Sequence, residues 1–142
     1  MPTLVPAHPV ISAKIRADNT GELTVLGISR PLVAESASWL RGGIIARCAT
    51  IARQHHRPVR LHVEDVGATY DLAVHPDAFV EPLELDWTIP DHPTGSPRPI
   101  GEGRCYVCRR LQPLKHQFCE QCGTIHPHDV EVRPKNGGGK RD

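Results

Sequence analysis

Four of the five cysteines fall in two pairs, Cys105-Tyr106-Val107-Cys108 and Cys119-Glu120-Gln121-Cys122, with ten residues between them. This spacing constrains the last third of the chain more than any hydrophobic pattern in it. Two cysteines separated by two residues aim both sulfurs at one centre when the backbone between them turns. Two such knuckles supply four thiolates for a tetrahedral Zn²⁺ at about 2.3 Å each. The spacer is long enough for a short out-and-back excursion. Four protein ligands leave no open coordination position, which argues against a zinc hydrolase. Cys105, Cys108, Cys119 and Cys122 are therefore the expected ligands of one structural Zn²⁺. Spacing alone leaves other uses open. An iron centre takes the same four thiolates, a redox role normally needs one C-x-x-C, and two disulfides need an oxidising compartment.

The segment Cys119-Glu120-Gln121-Cys122-Gly123-Thr124 resembles the C-x-x-C-G knuckle of the zinc-ribbon family, in which glycine turns left-handed as backbone N–H groups swing toward sulfur. The resemblance covers roughly residues 103 to 133 and implies a zinc ribbon held by the four cysteines. The first knuckle departs from the pattern, with Arg109 where glycine is usual. That departure bears on turn geometry and leaves the ligands unchanged. So short a segment buries too little to fold alone, whereas structural zinc contributes about 10–16 kcal/mol of apparent binding free energy. Leu111, Leu114, Phe118, Ile125 and Val130 are expected to form its apolar cluster. His116, His126 and His128 are expected at its surface or behind the ligands. Metal removal is expected to unfold residues 103 to 133 and spare the rest.

The N-terminal part reads as a small α+β layer. Ile11, Ala13 and Ile15 alternate with polar residues, and after the turn signal Asp18-Asn19-Thr20-Gly21 the pattern resumes at Leu23 and Val25, predicting a hairpin. Val59, Leu61 and Val63, then Tyr70, Leu72 and Val74 across Val66-Gly67, predict a second. Between them Leu40, Ile44, Cys48 and Ile51 recur at helical spacing, with Ser36 or Ser38 as N-cap and Pro58 as the stop. Gly42 and Gly43 each cost such a helix about 1 kcal/mol relative to alanine. They imply either a close helix-to-sheet approach or a late helix start. The expectation is an antiparallel ββαββ layer over residues 1–80, resembling a β-grasp and similar in element order to small α+β domains of high-GC bacteria.

Six prolines between Pro76 and Gly101 make a packed element unlikely there, since each lacks an N–H and restricts its predecessor. Residues 81–101 are expected to be an acidic, then proline-rich linker. The acidic stretch around Leu83, Leu85 and Trp87 is read as an edge strand or a docking segment. Residues 102–134 form the ribbon and 135–142 a basic, disordered tail. Cys48, on the apolar helix face, is expected to be buried. His55 and His56 are expected to cap the helix end, and His62 and His75 to lie at the surface.

A net charge of +1 conceals an asymmetry: residues 1–97 hold 8 basic and 11 acidic groups, and residues 98–142 hold 9 and 5. Arg104, Arg109, Arg110 and Lys115 surround the first knuckle. Four thiolates around Zn²⁺ carry a formal charge of about −2, so these cations either compensate the site or form, with Tyr106, a face for phosphate. The chain has no G-x-S-x-G motif and no glycine-rich phosphate loop after a strand. No apolar run approaches the roughly 18 residues needed to span a bilayer, and the start lacks the features of a signal peptide. The sequence thus predicts a cytoplasmic, non-enzymatic zinc-binding adaptor with a protein partner and a basic ribbon that meets nucleic acid or a nucleic-acid-handling complex. The alternatives are a purely protein-binding module and a redox or iron-binding protein.

Overall fold

The computed structural model describes residues 3–90 and 99–132. The middle of the expected linker and the expected basic tail, 135–142, lie outside the described residues.

Strands β1 (Thr3–Leu4), β2 (Ile11–Ile15), β3 (Thr20–Val25) and β4 (Ile28–Val33) precede helix α1 (Ala37–His55). Strands β5 (Val59–Asp65), β6 (Ala68–Val74), β7 (Val80–Pro82), β8 (Thr88–Ile89), β9 (Glu102–Arg104) and β10 (Leu111–Pro113) follow. The main sheet has the order β4-β3-β2-β5-β6-β7. Both hairpins form where period-2 patterning places them: Ala13 faces Leu23 across β2–β3, and Leu61 faces Leu72 across β5–β6.

Two features of the sheet correct the sequence reading. The sheet is mixed, because β2 and β5 run parallel with Ala13 beside Val63. A helical crossover returns the chain to the same end of the sheet, so the strand after α1 enters alongside β2 in the same direction. Strand β4 also escaped the pattern, being mostly exposed and interrupted by Pro31. Proline is tolerated there because β4 borders only β3 within the sheet, as edge strands permit.

Helix α1 begins where Ser36, extended at φ −149°, accepts a hydrogen bond from the Trp39 N–H at 3.1 Å. It ends at His56 in the left-handed conformation, with Arg53 and His55 in its last turn. The helix lays Leu40, Ile44, Cys48 and Ile51 on Ile11, Ile15, Leu23, Leu61 and Val63. Leu40 and Leu61 are fully buried, each contributing about 1.5–3 kcal/mol. Cys48 is part of this core, and burial pushes its thiol up to about 12.

The proline-rich stretch contains paired structure. Strand β7 extends the sheet at β6, and β8 pairs antiparallel with β1. Ile89 joins Val5, Ala73 and Leu83 in a small second core. Arg60 holds this corner by donating to the Val5 carbonyl at 2.6 Å while its guanidinium lies 4.4 Å from the Trp87 ring. His75 is buried rather than superficial, its Nε2 2.6 Å from Glu81. The local sequence held no sign of that partner, which β7 brings in from six residues away.

The helix starts at Ala37, so Gly42 and Gly43 lie well inside it. What they approach is the C-terminal segment and not the sheet. A Cβ on Gly43 would stand 2.6 Å from the His128 carbonyl oxygen and 2.6 Å from both Val130 methyls. A Cβ on Gly42 would meet Leu114 at an ordinary 3.5 Å. Leu114 and Val130 accordingly belong to the same core as the helix. Residues 130–132 also run along β4: the Val33 N–H donates to the Val130 carbonyl and the Val132 N–H to the Pro31 carbonyl, each at 2.9 Å.

Helix propensity alone predicts that either glycine gains about 1 kcal/mol on replacement by alanine. The packing splits them. Gly42→Ala should leave the thermal midpoint unchanged or raise it, while Gly43→Ala should lower it by the roughly 1–3 kcal/mol typical of overpacking. Thermal unfolding of the two variants side by side checks this, and equal shifts would contradict the contact.

Candidate metal centre

Each cysteine pair sits at the tip of a small hairpin. The first occupies the connection between β9 and β10, whose register sets Arg104 opposite Leu111. The second lies inside a hairpin reduced to one bridge, Phe118 opposite Ile125. The two tips repeat one hydrogen-bond pattern. The Arg109 N–H donates to the Cys105 carbonyl and the Gly123 N–H to the Cys119 carbonyl, both at 2.9 Å. The Val107 and Gln121 N–H groups each point at the first sulfur of their own knuckle, at 3.4 Å. Arg109 at φ 68° and Gly123 at φ 76° hold equivalent left-handed positions. The first knuckle therefore makes the same turn as the second without glycine, accepting the strain a side chain carries there.

The tips face each other. The four sulfurs all lie within 4.8 Å of one another, with Cys105 and Cys122 at 3.7 Å and Cys108 and Cys119 at 3.4 Å. Regular tetrahedral coordination at about 2.3 Å requires sulfur–sulfur edges of about 3.8 Å. Four cysteines so arranged fit one tetrahedral metal ion. Cys105 and Cys119 are buried, Cys108 is half-buried and Cys122 exposed.

The sulfurs differ in proton affinity. Desolvation opposes ionisation of Cys119, but the N–H groups of Cys122 and Gln121, with Cys108 and Gln112, overcome it and bring the thiol down to about 6. The Thr124 hydroxyl, 2.9 Å from the Cys122 sulfur, lowers that thiol too. The Arg110 N–H favours the Cys108 thiolate, yet desolvation and the three neighbouring sulfurs outweigh it and push Cys108 up to about 12.

Of two supporting residues, Gln112 had no signal in the sequence, and His128 was among the histidines expected at the surface or behind the ligands. Gln112, buried on β10, accepts the Glu120 N–H at 3.4 Å and so ties one hairpin to the tip of the other. His128, 2% exposed, has its Nε2 3.2 Å from the Pro113 carbonyl and its ring against Gly103, where a Cβ would lie 2.9 Å from Nδ1. Burial lowers its pKa, keeping the ring neutral. The expected apolar cluster is also corrected. Leu114 and Val130 are buried, but Leu111, Phe118 and Ile125 are 47%, 64% and 65% exposed. Helix α1 supplies the apolar cover that a free-standing unit would have drawn from those three.

The basic residues around the first knuckle are engaged within the chain. Arg109 pairs with Glu35 beside the start of α1, and its guanidinium lies 5.7 Å from the Trp39 ring. Arg110 faces Glu120 at 3.6 Å, and Arg104 donates to the Arg109 carbonyl at 3.0 Å. The Tyr106 N–H donates to the Pro127 carbonyl at 2.8 Å, while Lys115 is exposed. No helix among the described residues is long and apolar enough to cross a membrane.

Metal loading must expel the proton that Cys108 retains, so Zn²⁺ titration at pH 7 is expected to release protons. Its apparent affinity should fall as pH drops from about 8 to about 6, where protons compete for sulfur. Isothermal titration in buffers of different ionisation enthalpy measures both. Because Leu114 and Val130 are shared with the α1 core, chelation should lower the thermal midpoint of the whole chain, visible as loss of α1 signal by circular dichroism. Any one of the four ligands changed to serine should abolish stoichiometric binding, whereas Cys48→Ser should retain it. No protein-family model, curated protein or solved structure matches this chain, so the centre stands on its own geometry.

Proposed function

We propose that the protein is a non-enzymatic adaptor in which one structural Zn²⁺, held by Cys105, Cys108, Cys119 and Cys122, shapes a face that binds a partner protein. The observation that carries this reading is the convergence of four sulfurs, from two matching turns, within 4.8 Å. A full thiolate set favours zinc as a structural ion and leaves no position for substrate or water. Iron would fit the same sulfurs, and metal analysis separates the two.

The kind of partner follows from what the module exposes. Phe118 and Ile125 stand opposite each other at the second hairpin, both largely exposed, with Val107 and Leu111 exposed on the same module. Exposed aromatic and aliphatic groups clustered on a rigid support suit a protein interface. The guanidinium groups of Arg109 and Arg110, by contrast, already face Glu35 and Glu120. Their capacity to neutralise phosphate is correspondingly reduced. One observation favours a second reading: Phe118 and Lys115, three residues apart, are both exposed, an aromatic face for a base and a cation for a phosphate.

Metal content of the purified protein is expected to be close to one equivalent of zinc, and less than half an equivalent would overturn the reading. A double variant, Phe118→Ser with Ile125→Ser, should keep its zinc yet lose the protein partner that the wild type retains in affinity capture. Anisotropy with nonspecific DNA and RNA at about 50 mM salt supplies the contrast. Binding there that fades as salt rises, and weakens in Phe118→Ser, would favour the nucleic-acid reading.

A further inference from the structure

Gly43, Arg47, Thr50 and Arg53 follow one another at steps of four and three residues, and so lie along one side of α1. At Gly43 the helix touches the knuckle module. Past it, the stripe forms one wall of a cleft of about 50 Å³, whose other wall includes Gln117 and His126. This cleft is separate from the four sulfurs.

Arg47 has neither a hydrogen bond nor an ion pair among the described residues. Every other described arginine has one: Arg16, Arg30, Arg41, Arg109 and Arg110 with carboxylates, and Arg53, Arg57, Arg60 and Arg104 with backbone carbonyls. A lone exposed arginine is ordinary, and its surroundings are what distinguish Arg47. The side chains of Gln117 and His126, across the cleft, likewise have no partner among the described residues. Arg53 adds a second guanidinium held in place, donating to the Pro76 carbonyl at 2.5 Å and to the Thr50 hydroxyl at 3.2 Å. One carboxylate borders the cleft, Asp129, and its Oδ1 accepts the Glu131 N–H at 2.9 Å.

We infer that this cleft binds a phosphoryl group, as inorganic phosphate or as a phosphate monoester. Guanidinium forks match phosphate oxygens in geometry as well as charge. Donors on both walls suit a tetrahedral oxyanion, which presents acceptors in every direction, better than a planar carboxylate with both oxygens on one side. Arg53, whose guanidinium is held by Pro76 and Thr50, places a second positive charge beside the cleft. A ligand here bridges α1 and the knuckle module and thus favours their docked arrangement. The inference does not depend on the partner reading above, since it uses neither Phe118 nor Ile125.

The test uses the full metal-loaded chain, titrated with inorganic phosphate at constant ionic strength and followed by calorimetry and by amide chemical shifts. Saturable binding is expected, with Arg47→Gln and His126→Gln each weakening it about tenfold and Lys115→Gln leaving it unchanged. Acetate should not compete at equal concentration. Tighter binding of O-phosphoserine than of phosphate would assign the site to a monoester, and equal or weaker binding to the free anion. Arg47 also borders a hollow lined by Leu23, Val25, Leu26 and Ile28, so loss in Arg47→Gln without loss in His126→Gln overturns the cleft assignment. Absence of saturation, or equal competition by acetate, overturns it as well. Metal content and circular dichroism of each variant show that a lost signal is not lost folding.

Discussion

The contact between Gly43 and the carbonyl of His128 is the constraint on which the arrangement depends. A helix surface without a Cβ lets a foreign backbone approach to a distance no side chain permits. The cost is about 1 kcal/mol of helix propensity at each of two positions. What offsets it is the joining of two elements that each lack enough to bury. The sheet and α1 gain Leu114 and Val130 for their core, and the knuckle module gains a helix in place of an apolar centre of its own. The Arg109–Glu35 pair lies along the same seam, but both partners are more than half exposed, so its share is about 0–1 kcal/mol. Apolar contact and close backbone approach carry the docking.

The knuckles depend on this seam as much as they contribute to it. Their sulfurs converge because two hairpin tips face each other, and that facing is maintained by Gln112 and by the neutral His128 packed on Gly103. A metal ion would join the tips from one side while α1 supports them from the other. The knuckle module therefore lies on the same contiguous structure as the sheet, joined to the helix through Leu114, His128 and Val130.

Much of this was legible in the sequence. Period-2 alternation located β2, β3, β5 and β6, and helical spacing with Ser36 or Ser38 as its cap located α1. The four candidate ligands were evident from spacing, because a knuckle is a local structure whose geometry is set within four or five residues. Elements too short or too exposed to carry a period, such as β1, β4 and β8, were not legible, and β7 was anticipated only through one of two readings of the acidic stretch around Leu83, that of an edge strand. Their residues are stabilised by what they pair with, β1 with the distant β8 and the short or exposed β4 and β7 with the strands just before them, and none carries a period of its own. His75 likewise looks like a surface histidine until Glu81 is brought beside it, and whether His128 lies at the surface or behind the cysteines is decided only by its packing on Gly103.

By itself the sequence determined that the chain holds one four-cysteine cluster, one helix with a glycine-marked face and two hairpins, since each rests on interactions among near neighbours. Tertiary structure alone decided what the glycines were for, that β2 and β5 lie parallel, and that Phe118 and Ile125 face outward while Leu114 and Val130 face in. Inside and outside are properties of an assembled surface. A thirty-residue segment examined alone has no way to record that a helix from elsewhere in the chain will serve as its core.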